Sequence, residues 1–454
     1  MFSSEPREVE KVSSSFRNIA TRIPAPGTAE ILHKLDSIES RSMHGQLPIV
    51  WAHADDYCVF DIAGNKFLDM TSTIFVTNVG HSNPVVLDAI AESLHNGLVS
   101  TYAYASEIKG KYIKKLLDFA GPGFEKCFLM SAGTEASEAV LKLIRMYGRS
   151  VGKGPGVVTI EGNWHGRTMG AQLLSSNSAQ KEWVGFTDPN IHHIPFPYSH
   201  EVSEVEGAEY FRKSLAALEE NGINTSKDIS GFYLETFQGW GAHFYPTSFV
   251  QALAKFASDH DILLSFDEMQ AGFGRTGHAF GFMTYGVVPD LIAVGKGMGN
   301  GVPISGVLGR ADILDLPSVG NMSSTHSGNP LVCAAGLAVL SELESRNLVQ
   351  EAKEKGEKFQ QILNSMAARN PEISRVTGKG LIAALIFAEN ISSGPDKFAS
   401  AVAERCMELG LLVVHTGRES IKLGPPLTIP LNALEEAVQV IEQSIQKIRH
   451  SHGL

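Results

Sequence analysis

The residue with the most chemistry to explain is Lys296. In "DLIAVGKGMGNG" (290–301) four apolar residues, Leu291 to Val294, lead into one lysine flanked by Gly295 and Gly297. Burial disfavours an ammonium and lowers its pKa, and a neutral amine is the better nucleophile toward a carbonyl. Neighbouring glycines let a flat ligand approach the backbone closely. Taken alone, a lysine just past a strand points to water, so its neighbours must decide. In "LLSFDEMQAGFGRTG" (263–277), Asp267 ends an apolar run. A carboxylate there is costly unless it meets a cation or a strong donor, such as a protonated ring nitrogen; closing a turn is the plainer reading. Gln270 can donate to an oxygen of the same ligand, and Arg275 suits a structural ion pair as well as a substrate contact.

Three further stretches carry polar or aromatic groups at turns. "FLMSAGTEASEAVLK" (128–142) passes from strand to helix near Thr134. The open N–H groups of a first helical turn, reached through Gly133, form an anion site, to which Thr134 adds a hydroxyl or merely a cap. "EGNWHGRTMGA" (161–171) places Trp164 and His165 after the apolar run "GVVTIEG". Trp164 can stack on a planar ring or pack in the core, and His165 reads equally well as a satisfied structural histidine. Thr325 stands in the polar loop "SSTHSGNP" ahead of a helical run, where turn chemistry alone also accounts for it.

The elements that must position these groups are legible in the hydrophobic pattern. Short apolar runs ("GVVTIEG", "ISGFYLETF", "ILLSFDEM", "LIAVGK", "ISGVLGR") alternate with helical stretches such as "PTSFVQALAKFASDHD". This predicts an α/β fold with a mainly parallel sheet between helices. "CVFDIAGNKFLDM" reads as a hairpin, and the first 30 or so residues as irregular and extended. After about residue 340, charged helices and a mixed segment suggest a smaller α+β domain. The expected division is an N-terminal segment at 1–75, a large domain at 76–338 and a C-terminal small domain at 339–454.

Composition narrows the function. With 43% hydrophobic and 19% charged residues in 454, the chain has enough apolar material for a large core. Its net charge of −11 argues against nucleic-acid or anionic-membrane partners. The four cysteines lie far apart without metal-ligand spacing, so no metal site is expected and reduced thiols are. No apolar run reaches a membrane span, and the first residues lack the apolar core of a secretory leader; a cytoplasmic protein is the expectation.

An anion cradle, an aromatic plate, a carboxylate for a pyridinium and a desolvated lysine, on one parallel framework, are what pyridoxal 5'-phosphate needs from a protein. Over residues 30–445 the chain resembles the class III (ω-type) aminotransferases of fold-type I. The stretches "NVGHSNP", "SAGTEASEAVLK", "NWHGRT", "FDEMQAGFGRTG", "PDLIAVGKGMGNGVPISGVLGR", "THSGNPLVCAAGLA" and "GPPLTIP" carry the likeness. The resemblance implies a large domain with a seven-stranded sheet, and a small domain built from both termini. It implies a Schiff base and proton shuttle at Lys296, and Asp267 at the ring nitrogen. It places Gln270 at the ring hydroxyl, Trp164 on the ring face, and Gly133 and Thr134 at the phosphate. Thr325 would reach the phosphate of a neighbouring subunit, which implies a homodimer with shared sites. The reaction would be a ping-pong transfer between small-molecule amine and keto or aldehyde substrates.

Two positions depart from the family pattern. Where many members read "EPxQGE", this chain reads "ETFQGWG", which keeps Glu235 but puts Trp240 at the switching glutamate. Where they carry "R-x-x-PPL", it reads "IKLGPPL", with Lys422 for the arginine. A lysine lacks the planar fork that grips a carboxylate in two places. The expected substrate therefore lacks an α-carboxylate clamp: an amino sugar, an aminocyclitol or an ω-amine. Arg167, which matches the arginine for a distant carboxylate in γ-aminobutyrate-type members, keeps an ω-amino acid open; an ion pair within the large domain is its other reading. Phe75 joins Trp240, Arg167 and Lys422 as an expected substrate contact. An epimerase, racemase or aminomutase on the same fold stays open as the alternative.

Overall fold

A computed structural model describes residues 2–391, 394–416 and 418–451. The chain divides into two compact units, one of residues Pro84–Gln350 and one of Met1–Asn83 with Glu351–Leu454.

The first unit is organised by a seven-stranded sheet. Across it the strands run Lys126–Met130, Ser305–Gly309, Leu291–Val294, Leu263–Asp267, Ile229–Glu235, Gly156–Ile160 and Ile191–Ile194. Ser305–Gly309 runs antiparallel to both of its neighbours, and every other pairing in the sheet is parallel. The apolar runs become strands because the central ones are buried on both faces, which removes any in–out alternation. Helix Gly133–Ser150 packs on the sheet through Ala136, Ala139, Val140, Leu143 and Ile144, the spacing of one helical face. Gly231 permits that close approach, since a Cβ there would sit 2.7 Å from Ile144.

The second unit takes strands from both chain ends. The expected hairpin forms from Cys58–Asp61 and Lys66–Asp69, and the Asp61 carboxylate closes its turn by accepting the N–H groups of Ala63 and Asn65, both at 2.9 Å. Leu411–Leu412 adds to Lys66–Asp69 in parallel. A separate sheet runs Ile373–Lys379, Ile382–Phe387, Ser420–Leu423 and Val414–His415, with helix Pro395–Glu408 against it. The N-terminal stretch is not all irregular: it holds the short pair Val12–Ser13 with Asn18–Ile19, and a helix, Thr28–Ile38, follows it.

Among the described residues no helix is long and apolar enough to cross a membrane, and no cluster of three or more His, Cys, Asp or Glu side chains is placed to hold a metal ion. All four cysteines are free thiols.

Candidate active site

Parallel strands bring their carboxyl ends to one edge of a sheet, where loops can converge. Glu235 ends one strand and Asp267 the next, directly opposite each other in register. Asp267 in turn faces Ala293, and three residues further along that strand's path stands Lys296. Lys296 takes a left-handed backbone angle (φ 41°) as it enters a short turn to Met298. The residue as a whole is partly buried, but its amine is desolvated. Burial therefore lowers its pKa, while the charges of Asp267 and Glu235 pull the other way.

Asp267 is 5% exposed and firmly held. One carboxylate oxygen accepts the N–H of Met269 at 3.0 Å, and the other lies 2.8 Å from Nδ1 of His165. The amide nitrogen of Asn163 approaches Nε2 of the same ring at 2.8 Å and also donates to the Leu174 carbonyl at 3.3 Å and to the Thr159 hydroxyl. Nε2 is thus the acceptor, which leaves the hydrogen on Nδ1 to be donated to Asp267. The His165 ring is sandwiched further by Tyr233, stacked at 4.3 Å between centroids. Burial, helped by the charge of Asp267, raises the Tyr233 phenol well above its ordinary range. It stays protonated, 3.0 Å from the Ser137 hydroxyl.

Glu235 ties two loops together. Its carboxylate accepts the N–H of Trp164 at 3.1 Å and of Gly239 at 3.2 Å. A Cβ on Gly239 would fall 2.4 Å from the Gln270 amide nitrogen and 2.5 Å from the other oxygen of Glu235. Gln270, Glu235 and the loop that carries Trp240 therefore meet at one point, where Gly239 leaves room for both side chains. Trp240 packs edge-on against His243 at 5.2 Å. The guanidinium of Arg167 lies 4.5 Å over the Trp164 ring, and the residue is exposed. No ion pair of Arg167 occurs among the described residues, so its contact is aromatic rather than the salt link considered from sequence.

The anion cradle is recognisable at the start of helix Gly133–Ser150. Glu135 accepts the N–H groups of Ser131 and Ala132, both at 2.9 Å. The next two, on Gly133 and Thr134, meet no acceptor among the described residues, as the first turn of a helix leaves them. The Thr134 hydroxyl lies 2.7 Å from that of Thr168 and accepts the N–H groups of Arg167 and Thr168, each at 3.2 Å. Gly295 does not simply leave clearance for a ring, as its place beside Lys296 suggested. Its missing Cβ would stand 2.6 Å from the Met269 sulfur, and that of Gly133 2.8 Å from the same atom. Met269 fills both gaps and locks the Lys296 turn to the cradle.

Thr325 is exposed in the loop before helix Pro330–Ser345. Lys422 and Phe75 are brought together within the other unit, Nζ 4.6 Å above the ring.

These residues fit pyridoxal phosphate by chemistry. Two unfilled N–H donors at a helix start suit a phosphate dianion. A buried carboxylate fixed by two donors suits a ring cation, and a desolvated amine suits an aldehyde. The loops could not be read for the supporting parts. The His165–Asn163 chain, Tyr233, and Glu235 as a loop tie arise from register across three strands. Glu268 was also unforeseen. It is fully buried beside Asp267, and burial raises its carboxyl to about 7.

Fold and site together define a pyridoxal-phosphate enzyme with its chemistry at the strand ends of an α/β sheet. Residues 40–445 match the family described as Aminotransferase class-III. The chain is 31% identical to 2-aminoadipate transaminase of Pseudomonas putida over 415 residues, 88% of this chain and 96% of that one. It is 29% identical to ornithine aminotransferase of Emericella nidulans over 452 residues, 97% and 95% of the two chains. The crystal structure of a PLP-bound amine transaminase from an uncultivated Pseudomonas species matches with a TM-score of 0.82 at 25% identity, covering 90% of this chain and 97% of that one. The chain belongs to the class III aminotransferases.

Proposed function

We propose that the enzyme exchanges an amino group between an amine donor and a carbonyl acceptor in two half-reactions, the first product leaving before the acceptor binds. The observation that carries this is the position of Lys296, just past a strand whose Ala293 faces Asp267, which in turn faces Glu235 in register, with burial lowering the pKa of its amine. Pyridoxal phosphate, when bound, supplies an aldehyde for amines to condense with and a ring that withdraws electrons. Lys296 Nζ, its pKa lowered by burial, would hold the aldehyde carbon of the cofactor and, when free of it, would carry a proton to and from the substrate carbon. Asp267, fixed by the N–H of Met269 and Nδ1 of His165, would face the ring nitrogen and hold its proton. The open N–H groups of Gly133 and Thr134 would anchor the phosphate, Trp164 would lie against the ring and Gln270 would donate to the ring oxygen.

The substrate reading rests on Trp240 and Lys422. An indole replaces a switching carboxylate, and a single-point cation replaces a forked one, so a two-point grip on an α-carboxylate has lost both halves. The donor class is a primary amine without an adjacent carboxylate: an amino sugar, an aminocyclitol, an ω-amine or an ω-amino acid whose carboxylate Arg167 meets. A stopped-flow screen of half-reactions over α-amino acids, ω-amines and amino sugars tests this. Fast reaction with glutamate, lost in Lys422→Ala, would overturn it. Exchange of the substrate's hydrogen in deuterated water with inversion and no carbonyl product would make the enzyme an epimerase.

The working form is a homodimer in this reading. Val85, Leu87, Leu94, Leu98, Val99 and Tyr104 are all exposed within twenty residues of chain, an apolar surface beyond what isolated side chains explain. Thr325 is exposed as well, as a residue that serves the partner's phosphate should be.

A further inference from the structure

Lys422 and Phe75 are packed as one object. Lys422 is the third residue of strand Ser420–Leu423, which pairs with strands on both sides, opposite Ala384 and Val414. That register fixes where its side chain goes. The residue is 5% exposed, and its ammonium stands 4.6 Å from the centre of the Phe75 ring, inside the range of a cation–π contact.

Phe75 reaches that position by an uncommon route. Ser72, Thr73, Ile74 and Phe75 have φ values of 46°, 52°, 63° and 67°, a full turn of left-handed backbone without a glycine. Side-chain-bearing residues avoid this conformation, and it persists only where its surroundings impose it. Here they do. Phe75 N–H donates to Thr71 O at 2.9 Å, and Val76 N–H to Ser72 O at 2.7 Å. The Ser72 hydroxyl donates to the carbonyl of Gly424 at 2.6 Å, and the Asp69 carboxylate accepts Thr71 N–H at 2.7 Å. Gly424 completes the seat, because a Cβ there would lie 2.2 Å from the Phe75 ring. The strained turn and the glycine two residues past Lys422 together press one aromatic face against one cation. An ordinary apolar anchor needs neither device.

We infer that Phe75 is a specificity-determining residue, whose ring occupies the Lys422 ammonium and so withholds it from substrate carboxylates. A carboxylate arriving at Lys422 has to displace that ring and give up its own water to reach a buried amine that offers one point of contact. The inference deepens the proposed function and rests on its reading of Lys422 as the residue in the clamp position.

The test uses the holoenzyme and four proteins: wild type, Phe75→Leu, Lys422→Met and the double variant. Reductive methylation followed by peptide mass spectrometry reads the accessibility of Lys422 without reference to activity. Lys422 should be protected in the wild type and modified roughly 10-fold faster in Phe75→Leu, the change expected from losing a desolvated cation–π contact. Glutamate half-reactions should be slow in the wild type, rise by on the order of 10-fold in Phe75→Leu, and fall back in the double variant. Equal labelling of Lys422 in wild type and Phe75→Leu overturns the inference, as does a glutamate rate that Phe75→Leu leaves unchanged. Rapid glutamate use by the wild type that persists in Lys422→Met sinks the substrate reading instead, and labelling then decides the Phe75 contact alone. Lys422→Met keeps the volume of the side chain, so it reports even if Phe75→Leu folds poorly.

Discussion

Replacing Glu268 by glutamine should change how the stability of the protein depends on pH. The Glu268 carboxylate is fully buried. It accepts hydrogen bonds from the Thr236 hydroxyl and from the N–H groups of Gly281 at 2.7 Å and Phe282 at 2.8 Å. Burial outweighs those donors, with a smaller push from Asp267, and raises the pKa from 4.5 to about 7. The folded state therefore holds this proton more tightly than the unfolded chain does. The stability it contributes is fully present below pH 4.5 and is lost as pH rises through 7. A shift of two to three units corresponds to about 3 kcal/mol. Glutamine does not titrate. It also accepts on one side only, so a backbone N–H loses its acceptor at a cost of about 1–3 kcal/mol at every pH. Urea unfolding of both proteins at saturating cofactor, from about pH 5 to pH 8, isolates the effect, since every other titrating group is shared. The gap between wild type and Glu268→Gln should be smallest at pH 8 and widen by about 2–3 kcal/mol toward pH 5. A gap that stays constant across that range refutes the assignment of the raised carboxyl to Glu268.

Other perturbations have equally definite outcomes. Lys296→Ala should abolish the borohydride-sensitive absorbance of bound cofactor and lower turnover by about 10⁴-fold or more. Gly133→Ala should destabilise the protein by about 1–3 kcal/mol, because its new methyl meets the Met269 sulfur at 2.8 Å. A second change, Met269→Ala, should recover part of that loss in thermal unfolding. If the proposed dimer uses the exposed apolar residues around Leu98, Leu98→Glu should sediment as a monomer where the wild type sediments as a dimer, with loss of activity that returns as concentration is raised.

What the sequence revealed, and what it hid, divides along a physical line. Lys296, Asp267, Gln270, Trp164 and the Gly133–Thr134 turn could be put forward as candidates because each stands just beyond an apolar run, and a polar group at a strand end has few reasons to be there. The parallel sheet was legible for the same reason, since strands buried on both faces leave unbroken apolar runs. The groups that hold those residues in place were not. His165 meets Asp267 across 102 positions of chain, and Glu235 reaches Trp164 across 71. Such contacts depend on sheet order and register, which no local pattern encodes. Gly295 shows the limit most clearly. Its place beside the lysine suggested clearance for a ligand, whereas the volume it frees belongs to Met269. The left-handed turn at Ser72–Phe75 is the opposite case, because "STIF" contains no glycine to announce it. Only the partners of that turn, Asp69, Gly424 and Lys422, make the conformation tenable, and two of the three lie about 350 residues away. The groups proposed for the chemistry are thus written locally, while the packing of Phe75 on Lys422 is written between distant segments, and no local pattern of the sequence could announce it.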